Sequence, residues 1–391
     1  MELDVARARG ETPGAARMLH FNNAGAALSP ERVVNAMIDH LNLEAQIGAY
    51  EAGERAQDAL ANTYDAAARL LGCTPREIAV TDSASRAWSM AFYAIPLTSG
   101  DRILASSVEY GSNYLSLLHV AQRTGASIEI IPNNDSGQVD VAALRDMLDE
   151  RVKVIVMTHV PSNSGLVNPI AEIGAVTKET GILYIVDACQ SVGQLPIDVN
   201  KIHCDFLSGC GRKYLRGPRG TGFLYAKVDA LRRIDVPQIS LDGARWLKGA
   251  CYEIAADARR FETWETNVAA KIGLGVAIDY ALEWGIKRTW ERTKKLANRL
   301  RRNLATLASV EVVDQGDELC GIVSLAVDGR DPAKIREKLA AQNVNVWVCS
   351  ESTACVDMEA RNLTSVLRAS VHYYNTEGEV DKFCTLLEGM A

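Results

Sequence analysis

The sequence lacks any hydrophobic stretch long enough to cross a membrane, since its longest apolar runs are only as long as a β-strand. Met1 to Arg9 mix acidic and basic side chains and lack the apolar core of a signal peptide. An excess of positive charge is also missing, because 42 Lys and Arg against 49 Asp and Glu give a net charge of −7 at pH 7. We therefore predict neither a membrane nor a nucleic acid as a partner.

The nine cysteines do not form the disulfide framework of a secreted domain, because their number is odd and they are scattered from Cys73 to Cys384. We therefore predict a reducing, cytoplasmic location. His203, Cys204 and Cys210 lack the second pair of ligands that a zinc site needs, so no metal is predicted. Gly/Ser-rich linkers and internal repeats are also missing, which favours domains that pack tightly.

What the sequence contains is the composition of an ordinary globular protein, with 391 residues of which 48% are hydrophobic and 23% charged. At about 100–200 residues per domain, this length predicts two or three domains.

Short β-branched runs alternate with helix-length segments between about residues 65 and 225, which is typical of βαβ units around a parallel sheet. The predicted strands are Glu77–Thr81, Arg102–Ala105, Ser127–Ile131, Lys153–Met157, Leu183–Asp187, Phe206–Ser208 and Gly222–Tyr225. Ligands of such sheets bind at the carboxyl ends of the strands, so we expect the functional residues there.

After Asn267 the pattern predicts two long helices and then a small α/β unit. In that unit the predicted elements are strand Gly321–Val327, helix Pro332–Gln342, strands Val344–Cys349 and Leu367–His372, and helix Glu377–Gly389. We predict an α/β fold divided into an N-terminal arm (1–19), a large domain with a mostly parallel sheet (20–266) and a smaller C-terminal domain (267–391).

Two side chains at predicted strand ends suggest one particular chemistry. Asp187 ends an apolar strand, where a carboxylate needs a cationic partner, and Lys213 follows 26 residues later in a polar link between two strands. Pyridoxal phosphate (PLP) needs both groups: a lysine for a Schiff base with its aldehyde and a carboxylate that keeps its ring nitrogen protonated.

The motifs around these residues resemble class V PLP-dependent aminotransferases, a family that includes cysteine desulfurases, selenocysteine lyases, cyst(e)ine lyases and isopenicillin epimerases. The resemblance rests on Asp187 with Gln190, on Ser208 to Lys213 followed by Gly217 and Pro218, and on Arg368 to Asn375. It extends from about His20 to Leu387 and implies the PLP-dependent transferase fold of type I.

The resemblance implies a role for each matching position. Lys213 would form the Schiff base and remove the Cα proton, Asp187 would face the pyridine nitrogen, and Tyr110 would stack on the ring. The other implied cofactor contacts are Ala84, Ser85, Ser162, Asn163, Gln190, Cys210, Arg212 and Thr266. The implied substrate contacts are Arg368, for the α-carboxylate, and Asn23, Ala24 and Gly25.

Three departures from the family pattern bear on the reaction. Tyr110 stands where desulfurases carry a histidine, and Trp264 and Glu265 replace the Gly-Thr pair whose threonine reaches the partner subunit's phosphate. Neither Cys349 nor Cys355 has the sequence context of the desulfurase catalytic cysteine.

These departures favour a β-eliminating C–S or C–Se lyase of a cysteine-like amino acid. An aminotransferase or an epimerase remains an alternative, a persulfide-forming desulfurase is placed lower, and a non-catalytic scaffold is placed last. The family also implies a homodimer.

Overall fold

The computed structural model describes residues 3–390. Its strands are β1 Leu19–His20, β2 Ile78–Thr81, β3 Arg102–Ala105, β4 Ser127–Ile130, β5 Val152–Thr158, β6 Leu183–Asp187, β7 Phe206–Cys210, β8 Gly222–Ala226, β9 Ala244–Trp246, β10 Tyr252–Ile254, β11 Val310–Val312, β12 Ile322–Val327, β13 Val344–Asn345, β14 Trp347–Ser350 and β15 Ser365–Ser370. Its α-helices are α1 Val5–Gly10, α2 Glu31–Ile47, α3 Ala49–Arg55, α4 Gln57–Leu71, α5 Ala84–Tyr93, α6 Gly111–Thr124, α7 Val141–Asp146, α8 Ile170–Thr180, α9 Val199–Ile202, α10 Val268–Trp284, α11 Ile286–Leu304, α12 Pro332–Ala340, α13 Cys355–Ala360 and α14 Glu377–Glu388.

The larger sheet has seven strands in the order β2-β8-β7-β6-β5-β3-β4. Strand β8 runs antiparallel to both of its neighbours, and the other pairs are parallel. Its central strands are buried on both faces, as β6 and β7 show by having every residue buried. Parallel strands covered by helices on both faces read as continuous apolar runs, which explains why the sequence revealed them. The mostly parallel α/β fold predicted from the sequence is confirmed.

The smaller sheet is antiparallel, with the order β11-β12-β15-β14. Helix α11 packs on it through Leu296, Leu300 and Leu304, which share one apolar cluster with Leu325 of β12 and Phe21. The segment near the N-terminus is tied to this part of the chain, because β1 pairs in parallel with β13.

Helix α10 packs mainly with the large domain. Its Leu274 and Ile278 lie in the apolar cluster of the larger sheet, with Tyr184 and Phe223, and the helix lies against α2 and α4. We therefore propose that the boundary between the two domains lies at Gly285, between α10 and α11, whereas the sequence placed it at residue 267.

Two predicted strands of the smaller unit differ from those observed. The predicted strand Val344–Cys349 is two strands, β13 and β14, because the chain pairs first with β1 and then with β15. The second strand, predicted at Leu367–His372, begins earlier and ends at Ser370. The hairpin β9–β10 was not predicted.

Among residues 3–390, no helix combines the length and the apolar character that crossing a lipid bilayer requires.

Candidate active site

A cavity of about 630 Å³ lies where strands β5, β6 and β7 end. The residues that line it are Asp82, Ser83, Ala84, Ser85, Tyr110, Asn113, Thr158, Val160, Ser162, Asp187, Cys189, Gln190, Cys210, Arg212, Lys213, Gly220 and Thr221. We call this the inner cavity. It contains nine of the side chains that the sequence assigned to cofactor contacts or catalysis: Ala84, Ser85, Tyr110, Ser162, Asp187, Gln190, Cys210, Arg212 and Lys213.

Asp187 is buried at the carboxyl end of β6, and both of its carboxylate oxygens accept hydrogen bonds. The Asn113 side chain donates to Oδ2 at 2.7 Å and the backbone N–H of Cys189 donates to Oδ1 at 2.8 Å. Hydrogen bonds from such donors fix the direction of the carboxylate. The site therefore presents an oriented negative charge at the end of a buried strand.

Lys213 is buried in the loop between β7 and β8. The loop is held by two backbone hydrogen bonds, from Arg216 N–H to the Lys213 carbonyl at 2.9 Å and from Gly217 N–H to the Gly211 carbonyl at 2.7 Å. Gly193, with φ +81°, lies so close that a Cβ there would sit 2.6 Å from the backbone of Tyr214. Only glycine allows this approach, so the segment that follows Asp187 packs directly against the loop of Lys213.

Helix α5 begins at the inner cavity. Ser83 is its N-cap, because its side chain accepts from Arg86 N–H at 3.2 Å, and Ala84 and Ser85 form the first turn. Strand β8 crosses beneath this turn, since a Cβ at Gly222 would lie 2.5 Å from Ala84 N. The free N–H groups and the dipole of a helix N-terminus suit a phosphate group.

Gln190, Ser162 and Arg368 connect the inner cavity with the substrate side. The Gln190 amide nitrogen donates to Ser162 Oγ at 3.2 Å, and Arg368 Nη1 donates to the Ser162 carbonyl at 2.7 Å. Gln190 Oε1 and Arg368 Nε are buried and have no partner among the described residues. Because unpaired buried polar atoms are costly, these two atoms mark places where a ligand completes the hydrogen bonding.

A wider cleft of about 1180 Å³ lies beside the inner cavity and shares Tyr110, Ser162, Gln190, Arg212 and Lys213 with it. We call it the outer cleft. Its remaining lining residues are Asn22, Ala24, Gly25, Ala26, Gly111, Ser112, Leu115, Arg219, Trp347, Cys349, Ser352, Thr353 and Arg368. Most of them come from the N-terminal segment, helix α6, the smaller sheet and the turn after β14, and Arg219 lies in the loop between β7 and β8. The cleft therefore lies between the two parts of the chain. It includes the predicted substrate residues Arg368, Ala24 and Gly25.

Three of the predicted site residues lie elsewhere. The Asn163 side chain donates to Asp357 Oδ2 at 3.0 Å and lines neither cavity. Asn23 is buried between Tyr374, which donates to its Oδ1 at 2.5 Å, and the Ser370 carbonyl. Thr266 lines a separate pocket beside Asp82 and Thr221. None of these three residues lines the inner cavity.

Four further residues of the site, Asn113, Cys189, Asn22 and Glu109, were not predicted from the sequence. Asn22 accepts from Arg368 Nη2 at 3.1 Å, and Asn113 holds Asp187. Glu109 is buried behind Asp187, and burial raises its pKa to about 7 even though Ser106 and Thr158 donate hydrogen bonds to it. Glu109 and Asn113 could have been found from the sequence, because Glu109 lies just before helix α6 and Asn113 in its first turn.

The fold and this arrangement define a PLP-dependent enzyme of fold type I. The family described as aminotransferase class-V matches residues 19–383. The chain belongs to this family.

Comparison with known proteins gives relatives over nearly the whole length. A protein of Methanothermobacter thermautotrophicus named probable cysteine desulfurase is 29% identical, over 95% of this chain and 94% of its own length. A probable cysteine desulfurase of Pyrococcus abyssi is 28% identical, over 97% of this chain and 96% of its own. The apo structure of a cysteine desulfurase from Thermococcus onnurineus NA1 superposes with a TM-score of 0.92 at 26% identity, covering 100% of this chain and 98% of that one.

Enzymes of this family use PLP, and the residues present fit it. The helix N-terminus at Ala84 suits a phosphate, and the buried amine of Lys213 suits an aldehyde. The carboxylate of Asp187 suits a protonated ring nitrogen, and the unpaired Gln190 Oε1 can accept a hydrogen bond from a phenolic hydroxyl. When bound, PLP supplies an electron sink for a substrate carbon that has lost a proton.

Proposed function

We propose that the protein is a lyase that cleaves the Cβ–S or Cβ–Se bond of a cysteine-like amino acid and releases pyruvate and ammonia. The observation that carries this choice is the position of the cysteines at the outer cleft. Cys349 is the one cysteine that lines the cleft within residues 3–390, and it is 1% exposed with its thiol directed to the Ser162 carbonyl at 3.5 Å. A thiol that accepts substrate sulfur as persulfide has to be mobile and exposed, and Cys349 is neither.

The segment after Cys349 is also held in place. Residues Glu351–Thr353 form a single 3-10 turn packed on helix α6, where a Cβ at Gly111 would lie 2.1 Å from the Ser352 carbonyl oxygen. Such an approach leaves no space for the turn to move inward. Sulfur transfer to a protein cysteine requires a loop that moves. The tight packing of this turn therefore supports elimination within the cleft.

In the proposed reaction each residue has a defined task. Arg368 binds the substrate carboxylate with its planar guanidinium, which Asn22 and the Ser162 carbonyl orient. Lys213 removes the Cα proton, and Asp187 supports the positive charge on the ring nitrogen of the cofactor. The thiol, selenol or related group then leaves from Cβ.

One observation favours a persulfide-forming desulfurase as the second candidate. Cys355 is exposed at the first residue of α13, two residues beyond the cleft-lining Thr353, and the relatives described above are named cysteine desulfurases. A desulfurase would yield alanine and a protein persulfide in place of pyruvate. Transamination and epimerisation share the first proton transfer and also remain alternatives.

We further propose a homodimer in which the turn from Trp264 to Asn267 contacts the partner. Trp264 is 57% exposed, and Trp246 of the hairpin β9–β10 is 75% exposed, so both segments present a large apolar group to solvent. The expected result is a dimeric mass in solution by light scattering. A monomer with full activity contradicts the proposal.

The reaction products distinguish the lyase from the three alternative activities. The holoenzyme is mixed with cysteine, selenocysteine, cystine and S-alkyl cysteines, and pyruvate, alanine and the pyridoxamine form of the cofactor are measured. Pyruvate without pyridoxamine is the expected result. Alanine with sulfane sulfur identifies a desulfurase, accumulated pyridoxamine an aminotransferase, and an inverted amino acid an epimerase.

The double variant Cys349→Ser, Cys355→Ser tests the role of the two cysteines. We expect it to retain more than about a tenth of the wild-type turnover, a loss below about 1.4 kcal/mol of transition-state stabilisation. A fall of about a thousandfold with intact PLP binding, about 4 kcal/mol, establishes the desulfurase mechanism. Cys251→Ser serves as the matched control, because Cys251 is exposed and lines neither cavity.

A further inference from the structure

Cys189 and Cys210 are neighbours at the ends of two adjacent parallel strands. In the register of β6 and β7, Asp187 lies opposite Ser208, and the ladder continues with a bond from Ala188 N–H to the Ser208 carbonyl at 2.9 Å. Two residues further along each chain are Cys189 and Cys210. The Cys210 thiol donates to the Cys189 carbonyl at 3.6 Å.

This spacing suits a covalent link. Opposite residues of adjacent strands lie about 5 Å apart, and the Cα atoms of disulfides lie about 4.4–6.8 Å apart. Both cysteines are free and both line the inner cavity, which is true of no other cysteine among residues 3–390. The pair therefore differs from the remaining free cysteines in having a thiol neighbour and a shared route to solvent.

The surroundings of the pair also favour exchange. The neighbouring Cys189 side chain, together with the positive charges of Lys213 and Arg212, lowers the pKa of Cys210. The thiolate is the form that attacks a disulfide. Cys210 is therefore the attacking member of the pair, and Cys189 resolves the mixed disulfide.

We propose that Cys189 and Cys210 are a modification site at which a low-molecular-weight disulfide converts two thiols into an intramolecular disulfide. Cys210 attacks the reagent, forms a mixed disulfide and releases one thiol. Cys189 then attacks the Cys210 sulfur, the protein disulfide forms, and a second thiol leaves. The protein loses two electrons and two protons, and the reagent is reduced to two thiols.

The link acts on the groups that hold the cofactor. The Cys189 N–H donates to Asp187 Oδ1, and Gln190 is the next residue. On the other strand, Gly211, which follows Cys210, bonds to the Thr221 carbonyl and precedes Arg212 and Lys213. Drawing the two sulfurs together shifts these segments, so the disulfide form is inactive until a thiol reductant restores it. This conclusion does not depend on which product the enzyme makes.

The test treats the purified holoenzyme with bis(2-hydroxyethyl) disulfide, a small uncharged reagent. Non-reducing peptide mapping is expected to show a peptide joined through Cys189 and Cys210 and lighter by two hydrogens. Trypsin places Cys210 in the peptide Ile202–Arg212, which also contains Cys204, so fragment spectra have to assign the link. Activity is expected to fall at least about tenfold and to return with dithiothreitol.

Matched variants separate this site from other thiol chemistry. Each variant is compared with its own untreated activity, so a change in cofactor affinity does not affect the result. Cys210→Ala is expected to become insensitive because it removes the attacking thiol, and Cys189→Ala is expected to stop at the mixed disulfide on Cys210 and to form no joined peptide. Cys251→Ala, which removes an exposed thiol outside the cavity, is expected to stay sensitive.

Three outcomes overturn the proposal. The first is a protein in which Cys251 has reacted fully but no joined peptide forms. The second is a joined peptide with unchanged activity, which removes the effect on function. The third is equal inactivation of wild type and Cys210→Ala.

Discussion

The inner cavity and the outer cleft share five residues but are built in different ways. The inner cavity collects strand ends and a helix N-terminus of one sheet, where backbone hydrogen bonds hold Lys213 and Asp187 relative to each other. The outer cleft joins three distant segments of the chain, represented by Gly25, Leu115 and Trp347. The chemistry of a whole family requires side chains held in fixed positions, as in the inner cavity. Single substitutions in the outer cleft can change which substrate binds.

This contrast predicts how substitutions divide. Changes in the inner cavity are expected to remove turnover, and changes in the outer cleft are expected to alter substrate binding. Substitutions of Lys213, Asp187 and Arg368 test this division, and Glu109→Gln tests the stability of the protein near Asp187.

Lys213→Ala is expected to lower turnover by at least about a thousandfold, about 4 kcal/mol, because it removes both the attachment point of PLP and the base. Cofactor that remains is bound without a covalent link. Borohydride reduction and peptide mapping of the wild type are expected to place the label on Lys213. A label on another lysine, or turnover near the wild-type value, removes Lys213 from this role.

Asp187→Asn is expected to keep PLP bound but to lower kcat by about a hundredfold, about 2.7 kcal/mol, because an amide cannot hold the ring nitrogen protonated. Asn113→Ala is the graded control, since it removes one hydrogen bond of Asp187 and leaves the charge. We expect a smaller loss for Asn113→Ala. Equal kcat in wild type and Asp187→Asn shows that Asp187 has no part in the chemistry.

These two side chains could be predicted from the sequence because the motifs that contain them are local. An apolar run that ends in Asp187, and a polar loop with Lys213 between two such runs, already indicate strand ends facing one edge of a sheet. The bond from Asn113 to Asp187 joins residues 74 positions apart, and no local pattern marks it.

The outer cleft was less accessible to sequence analysis for the same reason. Asn163 lies in a motif that indicated a ligand contact, yet its amide is used by Asp357 at the junction with α13. Asn22 was missed, although it orients Arg368. The positions of Asn163 and Asn22 both depend on contacts between distant parts of the chain. The sequence pattern within one segment does not reveal such contacts.

Glu109, a buried carboxyl whose pKa is also raised by Asp187, gives the protein a pH-dependent stability. Burial raises its pKa from 4.5 to about 7, so the folded protein holds this proton more tightly than the unfolded chain does. The contribution to stability is complete below about pH 4.5 and is lost as pH rises through about 7. Between pH 5 and pH 7 the loss amounts to about 2 kcal/mol.

Glu109→Gln removes this dependence, because glutamine cannot ionise. We expect chemical denaturation at several pH values to show a steeper fall in the unfolding free energy of wild type than of Glu109→Gln. Glu129→Gln is the contrasting control, since Arg102 lowers the pKa of Glu129 and gives the opposite sign. Parallel pH profiles for wild type and Glu109→Gln contradict the assignment.

Arg368→Lys tests the outer cleft and is expected to have the smallest effect on turnover. Lysine keeps the charge but loses the planar pair of donors, and with it the bonds that now join Arg368 to the Ser162 carbonyl and Asn22. We expect KM to rise by about tenfold, about 1.4 kcal/mol, with kcat changed much less, because the group binds the ground state and the transition state alike. Cofactor absorbance is expected to stay that of the wild type, since Arg368 lies outside the inner cavity. If kcat falls as far as in Asp187→Asn while KM stays constant, Arg368 takes part in the chemical step, and the division between the two regions does not hold.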